Sequence, residues 1–395
     1  MKGLSHRTDC LTGDTMVKLR NRAKELDRTT SGMVHMEIGE PDFDTPENIR
    51  KKGKEMIDEG HTHYSPSSGI PELKEAIADY IEESRGFRPD DKGILVTPGA
   101  KGVMFSSIMA IVEQGDEVMV SDPAYPPYQT ILRYVGARIV PFSLTGENFS
   151  PDLDEINEKI TAKTKMIIVN SPNNPCGSVL EKDEARGIAQ ICEDHSLYLL
   201  SDEIYNEIIY EGEHFTPCSD GCVERSVLLD GFSKAYAMTG WRLGFGVGPK
   251  EVIKRMGLVM SNAVTCIPAF TQWAGVEALR GPQDAVKRMV AQFRERRDLI
   301  VKKINGIEGV HCPTPKGAFY VFPDFSSYGI KSYDLASRLL EEKKVAMLAG
   351  SSFGEKGEGH LRLSYATCME DIEKGVKRIA ELLAGVPKPG QRGRT

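Results

Sequence analysis

The stretch GFSKAYAMTGWRLGFG, Gly231 to Gly246, decides how this chain is read. It leaves one strand-like apolar run, SVLLDGF, and enters another, LGFGVG. Between them Lys234 and Arg242 sit among glycines, small residues and aromatics. A surface lysine normally has charged neighbours, whereas Lys234 has only Arg242. Either the stretch is a tight structural corner, or the two cations hold something anionic and reactive.

Working outward, five more runs of the same kind precede it: GILVT, DEVMVSD, ARIVPF, KMIIVN and LYLLSDE. Helical patterns such as PELKEAIADYIEES, KDEARGIAQICEDH and PKEVIKRMGLVM lie among them. Apolar runs this continuous suit strands buried on both faces, as in a mostly parallel sheet covered by helices. That predicts an α/β core from about Ile49 to Arg280. Beyond it, apolar residues from Val286 to Ile304 recur at mostly three- and four-residue steps, which predicts a long helix. Strand-like AFYVFPD, helical YDLASRLLEEK, strand-like KVAMLAG and HLRLSYA, and a last amphipathic helix near Met369 to Leu383 read as a smaller α+β domain.

The chain's 395 residues suit about two domains. A net charge of −7 argues against a nucleic-acid partner, which demands a basic face. No run approaches the roughly 18 apolar residues needed to cross a bilayer, and MKGLSHRTDC has no apolar core, so a cytoplasmic protein is expected. Eight cysteines are too few for a disulfide scaffold. Cys218 and Cys222 have no second ligand pair, so no metal site is expected. The tail PKPGQRGRT reads as a frayed terminus.

The familiar phosphate loops are absent. GFGVGP lacks the dinucleotide spacing and reads as a glycine-rich strand. Gly350 to Gly354 matches G-x-S-x-G, but only His360 follows, with no room for the usual order of hydrolase partners. What remains is a series of loops, each at or just after a strand-like run: PGAKG, DPAYPPY, SPNNPCG, SDEIY and SKAYAMTGWR. Singly, each reads as a turn or a cap. Together, a sheet could bring them all to one edge.

The motifs IGEPDF, YSPSSGIPELKEAI, SPNNPCG, SDEIY, SKAYAMTGWR and LRLSYA occur in this order from Ile38 to Ala366. In them the chain resembles the class I/II pyridoxal-phosphate-dependent aminotransferases of fold type I, in the prokaryotic aspartate aminotransferase-like branch. The resemblance runs from about Val34 to Leu383. It implies a large cofactor domain, 48–285, with a mostly parallel seven-stranded sheet, and a small domain made of 1–47 and 286–395.

The resemblance also implies roles. Lys234 would bond pyridoxal phosphate as an imine and later shuttle the substrate proton. Asp202 would pair with the pyridine nitrogen. Tyr205 and Asn174 would hydrogen-bond the ring hydroxyl, and Tyr125 would stack on the ring. The phosphate would take Arg242, the amides of Ala100 and Lys101, the Ser233 hydroxyl, and Tyr64 from the other subunit of a homodimer. Arg362, with Asn174 and the Gly39 backbone, would clamp the substrate α-carboxylate. The reaction implied is amino transfer from an L-amino acid to a 2-oxo acid, with glutamate and 2-oxoglutarate as one pair.

The second amino acid stays open between aspartate-, aromatic- and alanine-type. Lys101 matches a position that some aspartate aminotransferases turn toward a distal carboxylate, whereas Asp14 and Met16 stand where hydroxyl residues are common. A C–S β-lyase or a non-catalytic regulatory relative would share the fold. Two departures stand out: Gly231 replaces a serine that contacts phosphate in many relatives, and Cys176 replaces a threonine. Cys176 reads as a small space-filling residue, with a redox role as the alternative.

Overall fold

The computed structural model describes residues 5–11, 15–218 and 224–386. Asp14, Cys222 and the tail PKPGQRGRT lie outside the described residues. All seven expected strands form one sheet, joined by a two-residue edge strand, Ser150–Pro151. Its spatial order is Ile94–Thr97, Gly244–Val247, Ser226–Gly231, Tyr198–Asp202, Thr164–Asn170, Glu117–Asp122, Arg138–Thr145 and Ser150–Pro151. Five central strands, from Ser226–Gly231 to Arg138–Thr145, run parallel. Gly244–Val247 runs antiparallel to both its neighbours. The strands Glu117–Asp122 and Ser226–Gly231 are buried at every residue, which is why their sequences show no alternation.

Register brings the loops together. Asn170 pairs with Asp202, while Gly231 and Thr97 both pair with Gly244. The loops after Thr97, Asn170, Asp202 and Gly231, and the one before Gly244, therefore leave from one edge of the sheet. In α/β sheets that edge, at the carboxyl ends of the parallel strands, is where ligands bind.

Helix Asp284–Asn305 leads away to a three-stranded antiparallel sheet of Tyr320–Val321, Leu361–Ser364 and Leu348–Ala349. The N-terminal segment crosses to it. Val34–His35 pairs in parallel with Val345–Ala346, and Ser364 donates its N–H to the Met36 carbonyl. AFYVFPD is strand only at Tyr320–Val321, where it faces Leu363 and Ser364. KVAMLAG divides around Met347 into two short strands with different partners.

Behind the large sheet edge lies a buried ionic cluster. Arg85 Nε donates to Glu203 at 3.1 Å, and an Arg85 terminal nitrogen to Asp230 at 3.0 Å. Asn206 also donates to Asp230, at 2.7 Å, and His214 lies 2.7 Å from Glu203. Burial works against charge on Glu203, but His214, Arg85 and Thr216 outweigh it and hold the group down at about 2. Burial pushes Asp230 up to about 7, against the pull of Arg85. The cluster ties the segment after Asp202 to the strand that leads to Lys234. Arg85→Leu would strand two buried carboxylates, so urea denaturation is expected to show a loss of about 3–5 kcal/mol. A loss under about 1 kcal/mol would mean that the cluster is not held by this charge.

Candidate active site

At that edge a cavity of about 310 Å³ is lined by every expected site residue except Tyr64. Tyr64 is 89% exposed on the same chain. Lys234 follows the strand Ser226–Gly231 and donates from Nζ to the Gly39 carbonyl at 2.6 Å. Burial lowers its amine to about 8. Glu40 opposes the shift, while Arg362 and then Arg242 add to it. Ser233, before the lysine, is buried and also lines the cavity.

Asp202 ends its strand and is 4% exposed. Burial pushes its carboxyl up to about 6, although Tyr128 donates to it at 2.6 Å. Asn170, its neighbour in register, donates to the Asp202 carbonyl at 2.9 Å and accepts from the Asn174 N–H at 2.8 Å. Asn174 Oδ1 in turn lies 3.5 Å from an Arg362 terminal nitrogen. A polar chain thus runs from Asp202 on the large sheet to Arg362 on the small one.

Arg362 is buried, with its guanidinium 4.4 Å from the centre of the Tyr320 ring. One terminal nitrogen donates to the Glu37 carbonyl at 2.5 Å, and its Nε has no partner among the described residues. A buried guanidinium with an unused donor is prepared for a planar anion. Tyr320 also meets Tyr205, hydroxyl to hydroxyl, at 2.7 Å. A β-carbon at Gly39 would lie 2.3 Å from the Tyr320 hydroxyl, which explains the glycine there. Tyr125 packs edge-on against Tyr128, and burial pushes its hydroxyl up to about 12.

A second anion cradle is built where PGAKG meets Arg242. Gly99, at φ 76°, caps the helix Ala100–Ile111, whose first two residues, Ala100 and Lys101, line the cavity. A β-carbon at Gly99 would fall 2.7 Å from the Arg242 guanidinium. Arg242 holds a left-handed backbone, φ 53°, and donates to the carbonyls of Thr239 and Pro98. It forms no ion pair among the described residues. At Gly231 a β-carbon would sit 2.9 Å from the Gly244 Cα, so the serine of many relatives does not fit this corner.

Three residues escaped sequence reasoning: Tyr128, Tyr320 and Glu37. Tyr128 was visible as the second tyrosine of DPAYPPY, but its contact with Asp202 depends on the helix Pro126–Val135. Glu37 is buried, faces His35 at 2.9 Å and leaves one carboxylate oxygen unpartnered among the described residues. Cys176 is buried beside Phe322, Leu348 and Phe353, and burial pushes its thiol well up. That environment favours the space-filling reading over a reactive thiol.

Comparison with known proteins agrees with this geometry. The family model "Aminotransferase class I and II" matches residues 31–379. The chain is 41% identical over 372 residues to the aspartate aminotransferase of Pyrococcus horikoshii, covering 93% of this chain and 95% of that one. It is 37% identical to aromatic-amino-acid aminotransferase 2 of Thermococcus litoralis, covering 96% and 98%. The structure of Thermus thermophilus aspartate aminotransferase with maleate superposes with a TM-score of 0.92 at 39% identity, covering 97% and 100%. The loops gathered at one sheet edge, the isolated lysine among them and these matches over nearly the whole chain have one explanation: the chain belongs to the class I and II aminotransferases, with their fold type I architecture.

Proposed function

We propose that this aminotransferase binds pyridoxal phosphate in the cavity and there moves an amino group from an L-amino acid to a 2-oxo acid. The observation that carries the reading is one cavity holding Lys234, with its depressed basicity, the buried Asp202 and the half-satisfied Arg362. The cradle of Gly99, Ala100, Lys101 and Arg242 fits a phosphate, because it offers the amides of a helix start and a guanidinium that forms no ion pair among the described residues. When bound, the cofactor supplies an aldehyde for covalent attachment and a ring that accepts the electron pair left on the substrate α-carbon.

The chain's own residues would act as follows. Lys234, neutral at its Nζ, would hold the cofactor and, when its amine is free, would move the proton at the substrate α-carbon. Asp202, which accepts from Tyr128, would pair with the protonated ring nitrogen. Tyr205 and Asn174 would hydrogen-bond the ring hydroxyl, and Tyr125 would stack on the ring. Ser233 joins Arg242 at the phosphate. Arg362 binds the α-carboxylate with Asn174 and the Gly39 backbone, so the α-carbon is placed beside Lys234.

We divide the chain at 48–285 and 286–395, with 1–47 joining the latter. The second boundary falls in the first turn of helix Asp284–Asn305. Lys234 and Arg362 lie on opposite sides of that division, so substrate binding would draw the two parts together and exclude water. The exposed Tyr64 would serve the phosphate of a second copy, which makes the working form a homodimer. No helix among the described residues is long and apolar enough to cross a membrane, in keeping with a cytoplasmic enzyme.

Glutamate and 2-oxoglutarate are the expected common pair, and the named relatives support aspartate or an aromatic amino acid as the other donor. The test is the visible spectrum of the purified protein. The yellow band is expected to fade on adding glutamate and to return with 2-oxoglutarate. A band that no amino acid moves would sink the transfer reading. Ammonia and pyruvate formed from a cysteine conjugate without an acceptor would favour the lyase.

A further inference from the structure

The serine motif Gly350 to Gly354 takes no part in the chemistry proposed above, and the fold gives it another occupation. It follows the strand Leu348–Ala349 of the small sheet. Ser351 donates its N–H to the Ser332 hydroxyl at 3.2 Å, inside the small part. Phe353 is fully buried, and its carbonyl accepts from the N–H of Ala124, in the large part, at 2.8 Å. Gly354 holds φ 140°, which side chains rarely adopt, and a β-carbon there would fall 2.0 Å from a carboxylate oxygen of Asp122. The next two N–H groups, of Glu355 and Lys356, each donate to the Asp122 carboxylate at 3.1 Å, one to each oxygen. Lys356 Nζ donates to the Ser143 hydroxyl at 2.6 Å, and Ser143 is the partner of Asp122 in strand register.

Asp122 closes the strand Glu117–Asp122 and is buried. It forms no ion pair among the described residues, so two backbone donors meet its charge. A carboxylate holds such donors more tightly than a neutral acceptor does, and stranding a buried one is costly. The turn 353–356 is thus fastened to the large sheet by hydrogen bonds at Ala124, Asp122 and Ser143. On its other side Phe353 reaches the active site. The Arg362 guanidinium lies 5.6 Å from the centre of the Phe353 ring, and Arg362 pairs in register with Leu348. Phe353 shares a buried cluster with Leu348, Phe322 and Cys176, the last two residues beyond Asn174 in the chain. The guanidinium has two polar contacts among the described residues, the Glu37 carbonyl and Asn174. The Phe353 and Tyr320 rings therefore help to fix where it stands.

We propose that Asp122 is a positioning residue for the substrate α-carboxylate. By holding the turn 353–356 on the large sheet it sets the Phe353 ring, and through that ring the Arg362 guanidinium, in its place relative to Lys234. The inference rests on the function proposed above, in which Arg362 binds the α-carboxylate. Asp122 lies outside the cavity lining, so it acts through Arg362 and not on the substrate. Its loss should weaken every ligand through the carboxylate they share, whatever the side chain, and leave the phosphate cradle and Lys234 unaffected.

The test compares cofactor-loaded wild type with Asp122→Asn, Gly354→Ala and the double variant. Asp122→Asn sets a donor against an N–H, whereas Gly354→Ala breaks the same contact from the small part, away from the loop that carries Tyr125. Calorimetric binding of 2-methylglutamate, which has no α-proton to lose, reads the carboxylate site without turnover. Its affinity is expected to fall about 3- to 10-fold in each single variant, the net worth of about one hydrogen bond. KM for glutamate and for 2-oxoglutarate should rise by a similar factor, while retention of the cofactor on dialysis matches wild type. The double variant should be no worse than the weaker single variant, because both changes break one contact. A fall in kcat at unchanged KM, which marks a loss of folded enzyme, overturns the proposal. So do an unchanged affinity in either single variant, a cofactor lost in step with the carboxylate ligand, or full additivity. Wild type that transaminates glutamate beside variants that bind like it keeps the aminotransfer reading and overturns this one. If wild type turns over no substrate pair but binds 2-methylglutamate in an Asp122-dependent way, the positioning role stands and the aminotransfer reading fails.

Discussion

Lys234→Ala is expected to lower turnover by at least about 10²- to 10⁴-fold, the usual worth of a positioned proton-transfer group. It should also abolish covalent retention of the cofactor aldehyde. The pH dependence of that retention carries the sharper content. Burial, Arg362 and Arg242 hold the amine at about 8, against the ordinary 10.5. The neutral form is the nucleophile, so capture of the aldehyde by cofactor-free protein should rise through pH 8 and then level off. Stopped-flow absorbance against pH would read this directly. A rise that continues toward pH 10 would mean that the enclosed setting of Lys234 does not depress its basicity.

The second large effect belongs to Asp202. Asp202→Asn keeps the size of the side chain and removes its charge, and is expected to cost about 10²- to 10³-fold in turnover, as for removal of one preorganised electrostatic partner. Stability should move the other way. In cofactor-free protein burial raises this carboxyl from 3.8 to about 6, so the folded state prefers the protonated form. The favourable contribution is complete below the unfolded value and is lost as pH rises through about 6. Above that range the buried charge costs stability. The cofactor-free Asp202→Asn protein should therefore be more stable than wild type at pH 8, by about 1–3 kcal/mol. Thermal or urea denaturation at pH 5 and pH 8 would check the sign. A variant that loses activity and stability together at pH 8 would assign Asp202 a structural role.

Both residues were legible in the sequence for a physical reason. Each stands at the end of a continuous apolar run, and a strand buried on both faces announces itself by that continuity. All seven such runs entered the large sheet, with the motif loops at their ends. Gly39 and Arg362 were legible only through the family resemblance. The chain distance between them hides that Met36 and Ser364 are hydrogen-bonded neighbours.

The sequence by itself therefore determined the α/β sheet, the order of its loops and the place of Lys234, Asp202 and Arg242 at or just after strand-like runs. Local patterns suffice for these, because a buried strand and a glycine-rich turn are written within a few residues. Only the tertiary structure decided which groups face each other. Tyr128 on Asp202, and Tyr320 on Tyr205 and against Arg362, join segments far apart in the chain. Such contacts follow from strand register and from how the N-terminal segment crosses to the small sheet, and no short window of residues encodes either.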